Sequence, residues 1–515
     1  MNKERRRSGG RAGNIRRGAA RSISQLPWTL PQLVDRPTEP LDEEGVRAID
    51  DAAMRILEEI GILFLNEEAL AILDRAGADV DHESRNVRMG REMVRELVAK
   101  APPEFAITPR NPDRQIRIGG RHVVFGNVSS PPNCSDLDRG RRVGDRESFR
   151  DFIKLSQYFN CIHFCGGYPV EPTDIHASVR HLDCLQDKLT LCDKVVHAYS
   201  LGAERVEDVM EMVRIAGGLS HEEFEAAPRM YTNINSSSPL KHDWPMLDGA
   251  MRHARRGQPV IVTPFTLAGA MAPVTIAGAV ALQTAEALCA IALLQLVRPG
   301  APVVMGSFTS NVDMKSGAPA FGTPEYMRAT QISGQMARFY GLPLRATNAC
   351  AANVPDAQAA WESAFSLWAC NSAGVNMVYH AAGWLEGGLC ASYEKFVMDC
   401  ETVQQIMVYN RPVGVSEADL AVDAVREVGP TGHFFGATHT QERYETAFYA
   451  PFLSDWQNYK AWEEAGAQWT PQRANRLWKN ILAEYEPPPM DPAIAEELDA
   501  FVRRRKEEGG APTDF

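Results

Sequence analysis

Eight short runs rich in valine, isoleucine and aromatic residues recur along the middle of the chain, and each is followed by a helical pattern. Runs of this composition are typical of β-strands. Their starts are spaced by roughly thirty to forty residues, the length of one strand, one helix and two loops. The runs are His122–Asn127, Ile162–Tyr168, Lys194–Tyr199, Met230–Ser236, Val260–Phe265, Val303–Thr309, Leu344–Ala349 and Asn376–Ala381.

A regular alternation of strand and helix predicts a parallel sheet. Eight repeats without an obvious edge strand favour an α/β fold closed into a (β/α)8 TIM barrel, and an open doubly wound sheet is the alternative. Helical patterns on both sides predict extensions of this single domain. The predicted segments are a basic disordered tail (1–40), an N-terminal helical extension (41–120), the barrel (121–410) and a C-terminal helical extension (411–515).

The formal net charge of -12 hides a basic N-terminus. Residues 1–21 contain Lys3 and seven arginines against the single acid Glu4, and the remainder of the chain has 46 basic against 65 acidic residues. A body this acidic repels nucleic acid, so we interpret the tail as a solvated extension and not as a DNA-binding arm. The tail also lacks the apolar stretch that an export signal requires.

Cysteine usage and hydropathy predict a soluble cytoplasmic protein. The ten cysteines are scattered without CxxC pairs or the spacing of a secreted framework, which indicates reduced thiols. The longest apolar stretch, Ile276 to Val297, contains Gln283, Glu286 and Gln295. Polar residues and many alanines favour a helix packed closely against a sheet over a membrane span.

Barrel enzymes carry their reactive groups at the C-terminal ends of the strands, and here those ends are aromatic and uncharged. Such a mouth suits a quaternary ammonium ion, which donates no hydrogen bond and binds best to ring faces. The alternative, that these rings only fill the barrel, stays open. The candidates at the strand ends are Tyr168, His197, Asn233, Asn235, Phe265, Phe308, Asn348, Tyr379 and His380.

Glu386 is an acid in the loop after the eighth run, beside two glycines that allow close backbone approach. It is a candidate to neutralise a cationic substrate or act as a base, and a solvated loop glutamate is the alternative. Histidines in positions like those of His197 and His380 are more often satisfied core residues than catalysts. Cys161, His163 and Cys165 alternate along a strand about 6.6 Å apart, too far for one ion, so no metal site is predicted.

Several stretches of the chain resemble the trimethylamine methyltransferase (MttB) family. The resemblance extends over roughly residues 40 to 485 and depends on the order and spacing of the stretches together. They are Thr263–Gly278 (TPFTLAGAMAPVTIAG), Asn235–Leu240 (NSSSPL), Gly383–Gly388 (GWLEGG), Val354–Ala359 (VPDAQA), Gly436–Thr440 (GATHT) and Trp462–Ala467 (WEEAGA).

This resemblance implies a barrel enzyme that moves a methyl group from an amine nitrogen to the cobalt of a corrinoid. The corrinoid is carried by a separate small protein, so no cofactor is expected to bind tightly to this chain. Family members that use trimethylamine carry pyrrolysine in the region corresponding to about residues 348–353, where this chain has only standard residues. A quaternary amine needs no such electrophile, because it releases a neutral tertiary amine. The resemblance therefore favours the glycine betaine branch.

The resulting hypothesis is in-line transfer from a glycine betaine-like donor to cobalt(I) in the barrel mouth. Rings such as Tyr168, Phe265 and Tyr379 would surround the ammonium, while Asn233, Asn235 or His197 would anchor its polar end. Glu386, His197 and Asn233 are the catalytic candidates. The expected partners are a corrinoid-binding protein, a small methylated amine and further copies of the chain, without nucleic acid or membrane.

Three alternatives stay open. The chain could be a corrinoid methyltransferase for another methylated amine such as trimethylamine, or a barrel lyase on the same scaffold. It could also be a non-catalytic sensor of quaternary amines. A sensor needs no path for a cofactor, so a mouth covered by the C-terminal helices would favour it.

Overall fold

The computed structural model describes residues 23–513, and its centre is a closed barrel of eight parallel strands. Strands adjacent in sequence are adjacent in the barrel, the last pairs with the first, and a bridge between His197 and Tyr231 joins the third to the fourth. The predicted (β/α)8 fold is confirmed. The strands are β1 Val124–Asn127, β2 Phe164–Cys165, β3 Val195–Val196, β4 Thr232–Ile234, β5 Val260–Val262, β6 Val303–Gly306, β7 Leu344–Thr347 and β8 Met377–Ala382.

A helix follows each strand and packs on the outside of the barrel. Several of these helices begin at a side chain that accepts a hydrogen bond from the first turn, as Asp145, Asp243, Thr323 and Asp356 do. The helices are α1 Arg146–Tyr158, α2 Ala177–Leu191, α3 Ala203–Ala216, α4 Trp244–Arg255, α5 Ile276–Val297, α6 Pro324–Phe339, α7 Ala357–Ala373 and α8 Tyr393–Tyr409.

Helix α5 is the one helix in residues 23–513 whose length and apolar composition would allow it to cross a membrane. It is instead buried within the fold, between the barrel and the helices Glu43–Arg55 and Arg91–Val98. The polar side chains of Gln283 and Glu286 are hydrogen-bonded inside the protein. This helix has the packed position that its alanines and polar residues predict.

The barrel interior is filled at its N-terminal end and open at its C-terminal end. The paired strands Glu104–Ile107 and Ile116–Gly119 close the bottom, assisted by Trp28 and Leu30. Inward side chains of the barrel strands stack above them. These are Val124, Phe164, Val195, Tyr231, Ile261, Val304, Met377 and Tyr379.

The N-terminal extension, predicted to be helical, contains strands as well as helices. The strands form through long-range pairing, as between Ile62–Phe64 and Lys241–His242, which local helical periodicity does not reveal. The helices are Glu43–Arg55, Glu67–Arg75 and Arg91–Val98, with a π-helical turn at Ile56–Ile60. The strands are Ile62–Phe64, Asp79–Asp81, Asn86–Arg88, Glu104–Ile107 and Ile116–Gly119.

Part of the tail expected to be disordered packs on the bottom of the barrel. The Trp28 ring lies 5.0 Å from the His163 ring and 4.6 Å from the Arg114 guanidinium, measured to ring centroids. The backbone of Leu26 donates to Gln404. Apolar residues in this stretch, such as Leu26 and Trp28, allow it to pack against the barrel. Residues 1–22, with the arginine cluster, lie outside the described residues.

The C-terminal extension is helical, and its two long helices lie against the outer helices of the barrel. Helix Thr470–Ala483 packs on α8 and α1, and helix Pro492–Glu507 packs on α2 and α3. Residues 411–450, here called the arm, contain short helices with almost no buried side chains. The remaining helices of the extension are Glu417–Leu420, Val422–Val428, Thr438–Arg443 and Tyr459–Glu464.

Short strands in the loops above the barrel surround the mouth. Phe265–Ala268, Phe308–Val312 and Pro319–Ala320 form one sheet. Residues Asn133–Asp136, Gly140–Val143, Trp384–Leu385 and Cys390–Ser392 form another.

Candidate active site

A cavity of about 400 Å³ occupies the mouth of the barrel at the C-terminal ends of the strands. All of its lining residues belong to the barrel strands and the loops or helices that directly follow them. They are Ser129, Ser130, Gly167, His197, Tyr199, Ser200, Leu201, Asn233, Asn235, Met246, Phe308, Arg345, Tyr379, His380, Trp384, Gly387 and Gly388.

Aromatic rings form two walls of this cavity. On one side, the rings of His197 and Tyr199 lie 4.8 Å apart in an edge-on arrangement. On the other side, Trp384 lies 4.1 Å from His380 and 6.1 Å from Phe308. Ring faces without a carboxylate offer a cation attraction that does not depend on hydrogen bonding.

Both histidines in the walls are neutral, because burial lowers the pKa of His197 and of His380 well below the ordinary value. The Nε2 atom of His197 accepts the backbone N–H of Asn233, and the Nδ1 atom of His380 accepts the backbone N–H of Ser129. The opposite nitrogen of each ring therefore carries the proton. Neither histidine adds a positive charge to the site.

The two asparagines of β4 and its loop are held by each other and by Thr263. Asn233 Nδ2 donates to Asn235 Oδ1 at 3.1 Å, and Asn233 Oδ1 accepts from the Thr263 hydroxyl at 2.7 Å. Asn235 Nδ2 donates to the Thr263 carbonyl. The network fixes both amides at the cavity wall, where an amide N–H of each has a hydrogen left to donate.

The loop after β8 holds Trp384 through an unusual backbone. His380 has a φ of 52°, and the register between β8 and β1 shifts between Val378 and Ala382. Gly388 has a φ of 102°, and a β-carbon there would lie 2.6 Å from the Trp384 ring. Left-handed conformations concentrated at one loop are typical of functional sites, and the glycine permits close contact with the indole.

Arg345 is the one charged side chain among the lining residues, and it is absent from the candidates chosen at the strand ends. It is the second residue of β7, and its side chain points into the barrel while Leu344 and Ala346 pack outwards. The sequence contains a pattern that could have identified it. Arg345 and Thr347 alternate with apolar residues, and this alternation places both on the inner face of the strand.

Six predicted site residues line the cavity: His197, Asn233, Asn235, Phe308, Tyr379 and His380. Four lie outside its lining: Tyr168, Phe265, Asn348 and Glu386.

Tyr168 and Phe265 lie behind the aromatic walls and support them. The Tyr168 ring lies 4.9 Å from that of Tyr199 and lines a neighbouring cavity of about 370 Å³. The Phe265 ring lies 4.8 Å from that of Phe308. Both were predicted to contact the substrate. Successive side chains at a strand end point to opposite faces of the sheet, so only some of them face the mouth.

Asn348 and Glu386, which were predicted to act on the substrate, form hydrogen bonds with other protein groups instead. Asn348 is fully buried and donates to the carbonyl of Ala381. Glu386 turns away from the cavity, and both carboxylate oxygens lie 2.9 Å from Nε of Arg141. Arg141 belongs to a strand far away in sequence, so the interpretation of Glu386 as a site acid loses its basis.

The backbone after Asn348 is held by one carboxylate. Glu362 of α7 accepts the backbone N–H groups of Ala351 and Ala352, at 2.8 and 2.9 Å. This segment covers the positions where the family resemblance implies pyrrolysine in relatives that use trimethylamine. It consists of small residues and asparagine, which offer no electrophile.

No group of three or more His, Cys, Asp or Glu side chains within residues 23–513 has the arrangement of a metal site. His163 of the Cys-x-His-x-Cys stretch is committed to the backbone. Its Nδ1 accepts from the Phe125 N–H at 3.1 Å, and its Nε2 lies 2.9 Å from the Thr29 carbonyl. All ten cysteines are buried free thiols.

Comparison with known proteins identifies the class to which this barrel and mouth belong. Residues 6–510 match the trimethylamine methyltransferase family, and the chain belongs to that family.

Its relatives include a glycine betaine methyltransferase of Desulfitobacterium hafniense (strain Y51), 39% identical over 471 residues, which covers 91% of this chain and 98% of that protein. A trimethylamine methyltransferase of D. hafniense (strain DSM 10664 / DCB-2) is 29% identical, covering 91% and 94% of the two chains. A proline betaine:corrinoid methyltransferase of Eubacterium limosum is 27% identical, covering 78% and 84%.

Proposed function

We propose that this protein transfers a methyl group from a quaternary amine of the glycine betaine type to cobalt(I) of a corrinoid carried by a partner protein. The observation that carries the proposal is the mouth cavity itself. It has neutral aromatic walls formed by Tyr199, Phe308, His380 and Trp384, and no carboxylate among its lining residues. Such a pocket holds an ammonium ion by its methyl groups and leaves those groups free to react.

The reaction needs little from the protein beyond position. Cobalt(I) of the acceptor supplies an electron pair to a methyl carbon, and the carbon–nitrogen bond breaks with its pair going to nitrogen. The methyl becomes bonded to cobalt, which is oxidised to cobalt(III), and a neutral tertiary amine leaves without a proton transfer. Alignment of nitrogen, carbon and cobalt in one line supplies the rate enhancement.

Because no proton moves, the neutral histidines have a binding role in this mechanism. Their uncharged rings border the pocket, and the amides of Asn233 and Asn235 are free to donate to polar atoms of the donor. Their rigid hydrogen bonds to backbone and to Thr263 hold the ring-lined walls in one geometry. The absence of an electrophile in residues 348–353 agrees with a donor that is already activated.

An accessible mouth favours an enzyme over a sensor. Cavity-lining residues lie between 129 and 388, and the C-terminal helices Thr470–Ala483 and Pro492–Glu507 pack on the outer helices instead. A corrinoid protein can therefore approach along the barrel axis and bring its cobalt to the bound methyl group. We infer that it docks on the loops surrounding the mouth.

Purified protein mixed with reduced cobalamin and a panel of methylated amines tests the proposal. We expect methylcobalamin, followed by its absorbance, with glycine betaine and not with trimethylamine. If methylcobalamin forms only with trimethylamine, the methyl donor is trimethylamine and not a quaternary amine. No product with any quaternary amine would contradict the proposal and support the sensor.

We also infer that the chain forms a homo-oligomer through its arm. Large apolar side chains of the arm are exposed, among them Val413, Phe435 and Phe448. On α7, Trp361, Phe365 and Trp368 form an exposed stripe at helical spacing.

The end of α8, which leads directly into the arm, lies beside this stripe, since the rings of Trp368 and Tyr409 are 5.0 Å apart. Permanent interfaces between copies are the apolar ones, whereas a corrinoid carrier must dissociate after each turnover. A second copy of the chain is therefore the partner that fits both surfaces.

A further inference from the structure

Arg345 lies at the deep end of the mouth cavity without a protein counter-ion. The residue is 3% exposed, and its guanidinium carbon lies 4.3 Å from the Tyr379 ring centroid and 5.5 Å from that of Phe308. Its Nε and Nη1 atoms have no hydrogen-bond partner among the described residues. Over the same residues, no carboxylate forms an ion pair with it.

The groups around Arg345 do not supply a negative charge. The cavity lining contains no aspartate or glutamate. The phenols of Tyr231, Tyr326 and Tyr379 are close to the guanidinium, but burial raises the pKa of each. They therefore stay neutral at physiological pH and act as ring faces and dipoles.

A guanidinium remains charged in this setting. Burial lowers the pKa of Arg345, but the ordinary value is so high that the group keeps its proton at neutral pH. A buried charge with unsatisfied N–H donors is costly to the folded protein. The planar donors of arginine match the two oxygens of a carboxylate, which would satisfy both the charge and the hydrogen bonds.

We propose that Arg345 binds the carboxylate of the methyl donor and thereby restricts the donors to quaternary amines that carry a carboxylate, the betaines. This inference rests on the proposed function and deepens it. The donor lies with its carboxylate on Arg345 and its ammonium between the rings of Phe308, His380 and Trp384. In this orientation the methyl groups face the open end of the barrel.

The same charge excludes donors without an anion. Choline and tetramethylammonium carry the same type of ammonium head, but each would bring a second positive charge to the uncompensated guanidinium. A zwitterion instead adds one charge of each sign, and its negative end meets Arg345. The aromatic walls bind the ammonium group, and Arg345 determines which ammonium compounds are accepted.

Ligand binding to the purified full-length protein without corrinoid tests this inference directly. Isothermal titration measures the Kd of glycine betaine and of tetramethylammonium for wild type, Arg345→Met and Arg345→Lys. We expect Arg345→Met to weaken glycine betaine binding by about 100-fold or more, as loss of a buried charge partner does. Tetramethylammonium binding should stay equal or become tighter, and Arg345→Lys should recover part of the glycine betaine affinity.

The exposed Arg47→Met is the charge-matched control and should bind both ligands like wild type, and circular dichroism checks the fold of each variant. Equal weakening of both ligands by Arg345→Met, or unchanged glycine betaine binding, would overturn the inference. Methyl transfer to cobalamin is measured separately. If wild type binds glycine betaine through Arg345 but transfers no methyl group, the proposed catalysis fails and the carboxylate site stands.

Discussion

Among single residues, Trp384 is expected to make a measurable contribution to substrate binding. Its ring borders the cavity beside Phe308 and His380. Trp384→Leu keeps an apolar side chain but removes the ring face, so we expect the KM for glycine betaine to rise about 3- to 30-fold. Trp384→Phe retains a ring and should raise it less. Equal KM values for wild type and Trp384→Leu in the methyl transfer assay would exclude an aromatic cage.

Glu386 is expected to be dispensable for the chemistry, in contrast to its selection from the sequence. Its side chain pairs with the half-exposed Arg141 outside the cavity lining. Because the carboxylate is paired with Arg141 and lies outside the cavity lining, Glu386→Gln should change the turnover rate by no more than a few-fold. A turnover rate lowered by about 100-fold or more, with an unchanged fold by circular dichroism, would restore its role as a site acid or base.

Buried histidines make the stability of the fold sensitive to acid. Burial lowers the pKa of His242 and of His253 to about 4, so both are neutral in the folded protein. An unfolded histidine titrates near 6.5, and the stability is therefore complete above this pH and is lost as pH falls towards 4. Lowering the pH from 7 to 5 should cost about 2 kcal/mol for each such histidine.

Urea unfolding at pH 7 and pH 5 measures this loss. His242→Gln should lose less stability than wild type over this interval, by about 2 kcal/mol. An identical pH dependence in wild type and His242→Gln would show that His242 is not held neutral.

The contrast between Arg345 and Glu386 explains the limit of sequence reasoning about this site. Strand periodicity could place Arg345 on the inner face, but its missing counter-ion is visible only when eight strands converge. Glu386 stands beside two glycines in the loop after β8, yet its orientation is decided by Arg141, which comes from a different strand. Residue type and local position identify candidates, whereas partners distant in sequence decide their roles.

At the scale of elements, the loop after β8 sets the position of the indole wall. Gly388→Ala would combine a strained φ of 102° with a contact of 2.6 Å to the Trp384 ring. We expect a lower melting temperature together with a KM for glycine betaine raised about 10-fold, because displacing the ring removes a cation–π contact. Thermal unfolding and steady-state kinetics measure the two effects.

Gly300→Ala is the matched control for this loop. Gly300 also has a left-handed φ, 80°, but a β-carbon there would meet no atom within 4 Å. This substitution should lower the melting temperature through backbone strain alone and leave the KM unchanged. An equal KM increase in both variants would mean that the loop acts through general stability and not through Trp384.

The barrel strands were predictable because each is a buried run of β-branched and aromatic residues between turn signals, as Val260–Val262 and Val303–Gly306 are. Several predicted runs are longer than the strands in the structure. Their last, polar residues are not paired with a neighbouring strand and line the mouth instead. The strands of the N-terminal extension were missed. Ile62–Phe64 is only three residues long and depends on pairing with the loop before α4.

At the scale of the whole molecule, the arm and the stripe on α7 predict an oligomer. Phe365→Glu places a charge in the centre of the stripe and should convert the protein to monomers in light scattering after gel filtration. The control Ile60→Glu changes another exposed apolar residue, on the N-terminal extension, and should stay oligomeric. A monomeric wild type, or an oligomer that persists in Phe365→Glu, would contradict the proposed interface.

The proposed function requires the barrel mouth to pass a methyl group from a betaine nitrogen to cobalt. Glycine betaine with deuterated methyl groups, incubated with the protein and reduced cobalamin, tests it most directly by mass spectrometry of both products. We expect trideuteromethyl-cobalamin and dimethylglycine with two deuterated methyl groups, in equal amounts and each absent without the protein. Dimethylglycine without labelled methylcobalamin, or neither product despite bound glycine betaine, would contradict it.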